Sequence, residues 1–134
     1  MNLADYARYD GLGLADLIRN KEVTARELAE LALCGVQKIN PQINAVIEVY
    51  QERAEKADEL LLPAAPFGGV PFFLKDLGAI EAGKLQEMSS RLAKGHVAAT
   101  DAYLTNRFKQ AGAIIYGRTT AYRFLIREPI RFTM

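Results

Sequence analysis

Few side chains in this sequence are placed to do chemistry, and Lys75 stands first among them. It closes the stretch F-G-G-V-P-F-F-L-K-D, residues 67–76, in which Val70 to Leu74 carries no charge and Lys75 and Asp76 follow at once. A short apolar run bounded by turn residues reads as a strand buried on both faces. The Gly68-Gly69 pair marks its start, and Pro71 is tolerated only near its first residue. In open α/β sheets the ligand crevice lies beyond the carboxyl ends of the strands, which is where this reading delivers Lys75. An amine acts as a general base only when neutral, and desolvation in an apolar setting favours the neutral form. Phe72, Phe73 and Leu74 are the residues that would supply such a setting. The competing reading is a lysine and an aspartate in a solvated turn.

Other reactive groups are sparse. Ser89 and Ser90 are the only serines, hence the only serine hydroxyls within the chain that Lys75 could deprotonate. A serine-lysine pair is a working catalytic device, but serines in loops also bond to nearby backbone. Cys34 is the only cysteine, so neither an intrachain disulfide nor a cysteine metal cluster can form. Lying in a helical pattern among Leu31, Leu33 and Val36, it reads as a small buried hydrophobe and not as a reactive thiol. His96, the single histidine, has no partners with which to make a metal site. Asp76, Glu81 and Glu87 form no spaced carboxylate pair, and Asp76 is expected to support the strand end or to bond loop backbone. The G-L-G at residues 11–13 lacks a preceding strand and a third glycine, so it is no dinucleotide loop. No metal and no cofactor are expected, and no substrate-binding residue stands out.

The elements that must position Lys75 can be read in order. Asp10 caps a helix carrying Leu14, Leu17 and Ile18 on one face, closed by Asn20 and Lys21. Thr24 and Glu27 form a capping box, and the helix it starts runs to about Ile39, with Leu28, Leu31, Ala32, Gly35 and Ile39 along one face. Asn40-Pro41 should end it, because the residue before proline avoids the helical region. Residues 43–50 are rich in β-branched side chains and read as a strand or extended segment. Residues 51–62 read as a third helix, and Pro63 and Pro66 as a surface loop. After the Lys75 strand comes an irregular loop over 78–94, then a helix from about Ala102 to Ala111 capped by Thr100-Asp101 and stopped by Gly112. A second apolar strand, 113–116, is closed by Gly117, and Thr119 and Thr120 cap a last turn through 121–126. Two apolar strands joined through a helix imply parallel pairing with a right-handed crossover. The fold class is therefore α/β, one domain over 1–134, with a helical part at 1–62 and a βαβ part of a mostly parallel sheet at 63–134.

Composition narrows the function. With 134 residues, 50% hydrophobic and 25% charged, the chain can build one core. Seventeen basic against sixteen acidic residues give a net charge of +1, with none of the basic-aromatic interleaving of a nucleic-acid binder. No apolar run reaches the roughly 20 residues of a membrane span, and the N-terminus lacks the apolar segment of a signal peptide. A cytoplasmic protein that binds neither nucleic acid nor membrane is expected.

From Gly68 to Thr120 the chain resembles the amidase signature family, through G-G-V-P-F-F-L-K-D and then S-S-R-L-A-K-G-H-V-A-A-T-D-A-Y-L-T-N-R-F-K-Q-A-G-A-I-I-Y-G-R-T-T. N-P-Q-I-N-A-V-I-E at residues 40–48 matches as well. The resemblance implies enzymes that hydrolyse or transfer carbon-nitrogen amide bonds with a serine, cis-serine, lysine triad, and it places Lys75 as the triad's lysine. It implies a larger α/β/α fold of which this chain is the N-terminal portion. In the family both catalytic serines lie downstream in a Gly/Ser-rich region, whereas this chain ends at Met134 before any such stretch. Ser89 and Ser90 align instead with a Gly-Ser pair ahead of R-L, and Ser89 standing for the usual glycine leaves the local backbone turn open. The active site implied is incomplete: a lysine reached by water, charged, within reach of a carboxylate, and a chain inactive alone on small amides. The alternative is a non-catalytic interaction module, whose exposed strand edges and apolar faces are covered by homo-oligomerisation or by the missing C-terminal portion.

Overall fold

Side-chain caps set the first three helix starts in the computed structural model, which describes residues 1–121. Asn2 accepts from the Asp5 amide ahead of α1 (Leu3–Tyr6), and Asp10 Oδ1 accepts from the Gly13 amide at 2.8 Å ahead of α2 (Gly11–Arg19). The expected capping box opens α3 (Ala25–Ile43): the Thr24 amide donates to Glu27 Oε2 at 2.8 Å and the Glu27 amide to Thr24 Oγ1 at 3.0 Å. The apolar stripe of α2, with Leu14, Leu17 and Ile18, packs into one core cluster with Ala25, Leu28, Ala29 and Leu33 of α3. The α3 stripe differs in part from the expected one. Leu31, Ala32 and Gly35 are half-buried on the shoulder that α1 covers, with Leu3 against Gly35, and Ile39 is exposed.

Helix α3 does not stop before Pro41 but runs through it to Ile43. The cost of a proline in the last turn is offset by two devices. Asn40 clamps the helix end to the next strand, its Nδ2 donating to the Val46 carbonyl and its Oδ1 accepting the Val46 amide, both at 2.8 Å. Asn44 then ends the helix in the left-handed conformation that asparagine tolerates.

β1 (Val46–Val49) follows, then α4 (Gln51–Glu55), β2 (Pro71–Lys75), α5 (Tyr103–Gln110) and β3 (Ile114–Thr119). The sheet order is β1-β3-β2: β2 and β3 are parallel, as the βαβ reading requires, and β1 joins β3 antiparallel. The helix expected over 51–62 ends at Glu55, because the chain turns to bury Ala57 and to give the Asp58 carboxylate to the otherwise unsatisfied Arg26 amide in the first turn of α3, at 3.2 Å. Ala102, not Thr100 or Asp101, sits at the cap of α5 and makes no side-chain bond there, since Asp101 is engaged elsewhere. Gly112, at φ 92°, stops that helix as expected.

β3 runs through Gly117 to Thr119 and does not close at the glycine. Here the glycine permits contact: a Cβ on it would lie 2.0 Å from the Glu48 carbonyl oxygen of β1. Among the described residues β2 is an edge strand: Pro71, Phe72 and Phe73 are half-buried, Leu74 buried and Lys75 exposed, in contrast to the burial on both faces that its apolar run predicts. The turn expected over 121–126 lies, beyond Ala121, outside the described residues. Among those residues no helix is long and apolar enough to cross a membrane.

Candidate functional site at the end of β2

Alternation along β2 puts Lys75 outside and Asp76 inside. Lys75 is exposed, while Asp76 is 2% exposed. The Asp76 amide donates to the Thr119 carbonyl at 2.9 Å and so extends the β2/β3 ladder past Lys75. Its carboxylate meets the Arg118 guanidinium, whose Nε donates to Glu48 Oε2 at 2.7 Å. Glu48 and Arg118 are register partners on β1 and β3, so a row of charge crosses these two strands and ends on Asp76 just past β2. Burial works against the Arg118 charge, but the hydrogen bond to Glu48 and the charge of Asp76 outweigh it and hold the guanidinium more firmly protonated than usual.

The same carboxylate anchors the following loop. Asp76 Oδ1 accepts the Glu87 amide at 3.1 Å and Oδ2 the Ser89 amide at 3.4 Å. Asp76 thus both supports the strand end and bonds loop backbone. The loop is better ordered than its composition indicates: Leu85 and Val97 form an antiparallel bridge, and a short 3-10 turn spans Arg91–Ala93. Met88 and Ser89 both take left-handed backbone, at φ 52° and 53°. The Ser89 hydroxyl donates to the Ala121 carbonyl at 3.4 Å, and Ser90 Oγ accepts the Leu92 amide at 3.3 Å, so both serines serve loop backbone. Left-handed backbone at Ser89 explains why glycine suits the position. Ser89→Gly is expected to stabilise the protein by about 0.5–1 kcal/mol, read as a rise of about 2–4 °C in the thermal midpoint.

An open cleft of about 340 Å³ borders this turn, lined by Ile47, Asp76, Glu87, Ser89, Ser90, Arg91 and Lys94. The apolar residues before Lys75 do not build it a dry pocket. Phe72 stacks on Phe108, ring centroids 4.6 Å apart, Leu74 packs with Tyr50 and Ile115, and Phe73 joins the larger core. Among the described residues Lys75 makes no ion pair, so the expected carboxylate partner is absent: Asp76 turns inward to Arg118.

A second charged cluster, which nothing local in the sequence announces, braces the opposite flank. Glu81 is buried and takes Arg53 bidentately, at 3.0 and 3.1 Å, and Lys109 at 2.9 Å. Arg53 also donates to the Ile115 carbonyl at 2.9 Å, and Asp101 accepts from Lys109 and from the Ala82 amide, both at 2.8 Å. Burial tends to deprotonate Lys109, but its bonds to Asp101 and Glu81 prevail and raise its pKa. Burial likewise raises the Tyr50 and Tyr116 hydroxyls.

These three groups share one sign. A folded-state pKa above the unfolded value contributes stability that is complete below the unfolded pKa, about 10 for both residue types, and is lost as pH rises through the folded one. The unfolding free energy from urea titrations should therefore be flat from pH 7 to 9 and fall above pH 10, by about 1–3 kcal/mol at pH 11.5, with a matching drop in the midpoint. An unchanged midpoint at pH 11.5 would contradict the assignment.

Among the described residues no group of His, Cys, Asp and Glu could hold a metal ion. The family model described as Amidase matches residues 27–127. The chain is 38% identical over 112 residues to the 6-aminohexanoate-cyclic-dimer hydrolase of Paenarthrobacter ureafaciens, covering 82% of this chain and 22% of that protein. It is 35% identical over 111 residues to a glutamyl-tRNA(Gln) amidotransferase polypeptide of Methylacidiphilum infernorum, covering 83% of this chain and 22% of that protein. Its fold superposes on a solved 6-aminohexanoate cyclic dimer hydrolase with a TM-score of 0.75 at 38% identity, over 83% of this chain and 23% of that one. The chain thus spans less than a quarter of the length of these relatives.

Proposed function

The chain belongs to the amidase signature family, and from that premise we propose that it serves the hydrolysis or transfer of a carbon-nitrogen amide bond, with Lys75 as the base. The supporting observation is the placement of Lys75: it ends a parallel strand whose end is fixed through Asp76, and Asp76 in turn lines a loop-walled cleft. In the reaction the neutral amine takes the proton of a serine hydroxyl, and the serine oxygen bonds to the amide carbonyl carbon. The carbon-nitrogen bond then breaks, the amine leaves with a proton, and water or an acceptor amine releases the acyl group. Relatives named for a cyclic-dimer hydrolase and for an amidotransferase fit both fates of the acyl group.

The serines of that scheme are not Ser89 and Ser90, whose hydroxyls serve loop backbone. We assign them to polypeptide outside these 134 residues, which would also cover the exposed Lys75 and give the amine the dry surroundings a base needs. A small amide is the substrate of the completed site. The chain alone is expected to turn over no member of a panel of simple amides. Turnover that Lys75→Met abolishes would overturn this view, and the substitution is a fair control because an exposed side chain contributes within about 0.5 kcal/mol of stability.

A second reading, an association module in the cytoplasm, is favoured by the sheet edges. β1 and β2 are both outer strands, and Ile43, Ile47 and Val49 are exposed along the β1 side. Such edges are templates for pairing with another chain. Light scattering decides it: a homo-oligomer is expected at tens of micromolar if this reading holds, and a monomer excludes it.

A further inference from the structure

Asp76 is more heavily engaged than a strand-end aspartate needs to be. Its backbone N–H closes the ladder to Thr119, and its carboxylate receives Arg118 and the amides of Glu87 and Ser89. Those two amides bracket Met88, and Met88 and Ser89 hold backbone conformations that persist only where surroundings over-determine them. The Asp76 carboxylate does so together with the Ser90 amide, which donates to the Glu87 carbonyl at 2.8 Å, and Glu48 in turn fixes Arg118 from the far strand. Because side chains alternate along an extended strand, the rotation that turns Asp76 inward also sets the direction of Lys75.

We infer that Asp76, clamped by Arg118 and Glu48, is a positioning residue that locks the Lys75 end of β2 and the Glu87–Ser89 turn into one frame. The consequence for catalysis rests on Lys75 being the base, but the frame itself can be read without turnover. A charge pair suits this role, since the fork of Arg118 reaches β1 and the strand end together and a shift of either strand is felt at the turn.

The test is NMR on the whole chain, with lysine amines carrying ¹³C-methyl groups to report the surroundings of Lys75 and with amide resonances of Glu87 and Ser89 to report the turn. Lys38 and Lys56, exposed and on other elements, are the controls. In Asp76→Ala, at a temperature where circular dichroism shows it folded, the Lys75 methyl and the Glu87 and Ser89 amide resonances should all move. Exchange of those two amides should speed up by roughly tenfold, the equivalent of one lost hydrogen bond, while Lys38 and Lys56 stay in place. Asp76→Asn, which keeps a carbonyl acceptor for the turn, should fall between wild type and Asp76→Ala. Movement of the turn with Lys75 unmoved would overturn the inference, as would equal displacement of every lysine, the mark of general loosening. Should Asp76→Ala not fold, Asp76→Asn reads the same resonances: displacement at Lys75 and the turn alone supports the frame, and wild-type positions refute it. A frame that holds in a family fold where Lys75 proves catalytically idle would sink the functional reading alone, and an unmoved Lys75 would leave that reading standing.

Discussion

Gly117→Ala is expected to destabilise the protein by about 3 kcal/mol or more. The added Cβ would stand 2.0 Å from the Glu48 carbonyl oxygen and 3.0 Å from both the Glu48 carbonyl carbon and Phe73 Cε1. Two of those three atoms are backbone, so no side-chain rotation relieves the contact, and β1 must leave β3. Its departure removes the Tyr50 amide bond to the Tyr116 carbonyl, now 2.8 Å, and carries Glu48 away from Arg118. Against a usual total stability of about 5–15 kcal/mol, a loss of that size is measurable in a single urea titration. A midpoint within error of wild type would mean that β1 is not seated on β3 as described.

Arg118→Met should cost about 3–5 kcal/mol, the range for removing one partner of a buried ion pair. The cost arises less from the lost attraction than from what stays behind: an Asp76 side chain 2% exposed with no cation, and Glu48 with no guanidinium. The asymmetry gives a sharper readout than the single variant. Asp76→Asn combined with Arg118→Met should lose clearly less than the two single losses added together, because the second substitution removes the charge that the first one stranded. Strict additivity would mean that the two groups do not interact in solution.

What can be read in the sequence is local. The caps at Asp10 and Thr24 and the stop at Gly112 each rest on residues within one turn of each other, and all three form. The parallel pairing of the two apolar strands follows from connection rules, and the place of Lys75 follows from the strand. The charge row is not legible, because Arg118 reaches Asp76 across 42 positions and Glu48 across 70, distances over which no sequence spacing has meaning. For the same reason the Arg53–Glu81–Lys109 cluster gives no sign of itself in the sequence. Pro41 misleads because a local preference is overridden by a contact made elsewhere, the Asn40 clamp on Val46. Phe72 and Leu74 look like walls for Lys75 from their adjacency, whereas the pleat sends them to the core. The serine standing for glycine at position 89 is visible in the sequence, and the structure supplies its meaning, a left-handed turn held by Asp76.

That Lys75 is the base of an amide-cleaving site completed by other polypeptide is tested most directly by a chimaera. Residues 27–121 of this chain would replace the corresponding stretch of the Paenarthrobacter ureafaciens 6-aminohexanoate-cyclic-dimer hydrolase, with which the sequence is 38% identical. Hydrolysis of the cyclic dimer is then measured with and without Lys75→Met. The predicted result is an active chimaera whose kcat falls about 10²- to 10⁴-fold on Lys75→Met, the range for losing a positioned general base. A folded chimaera that keeps its full rate with methionine at position 75 would contradict it.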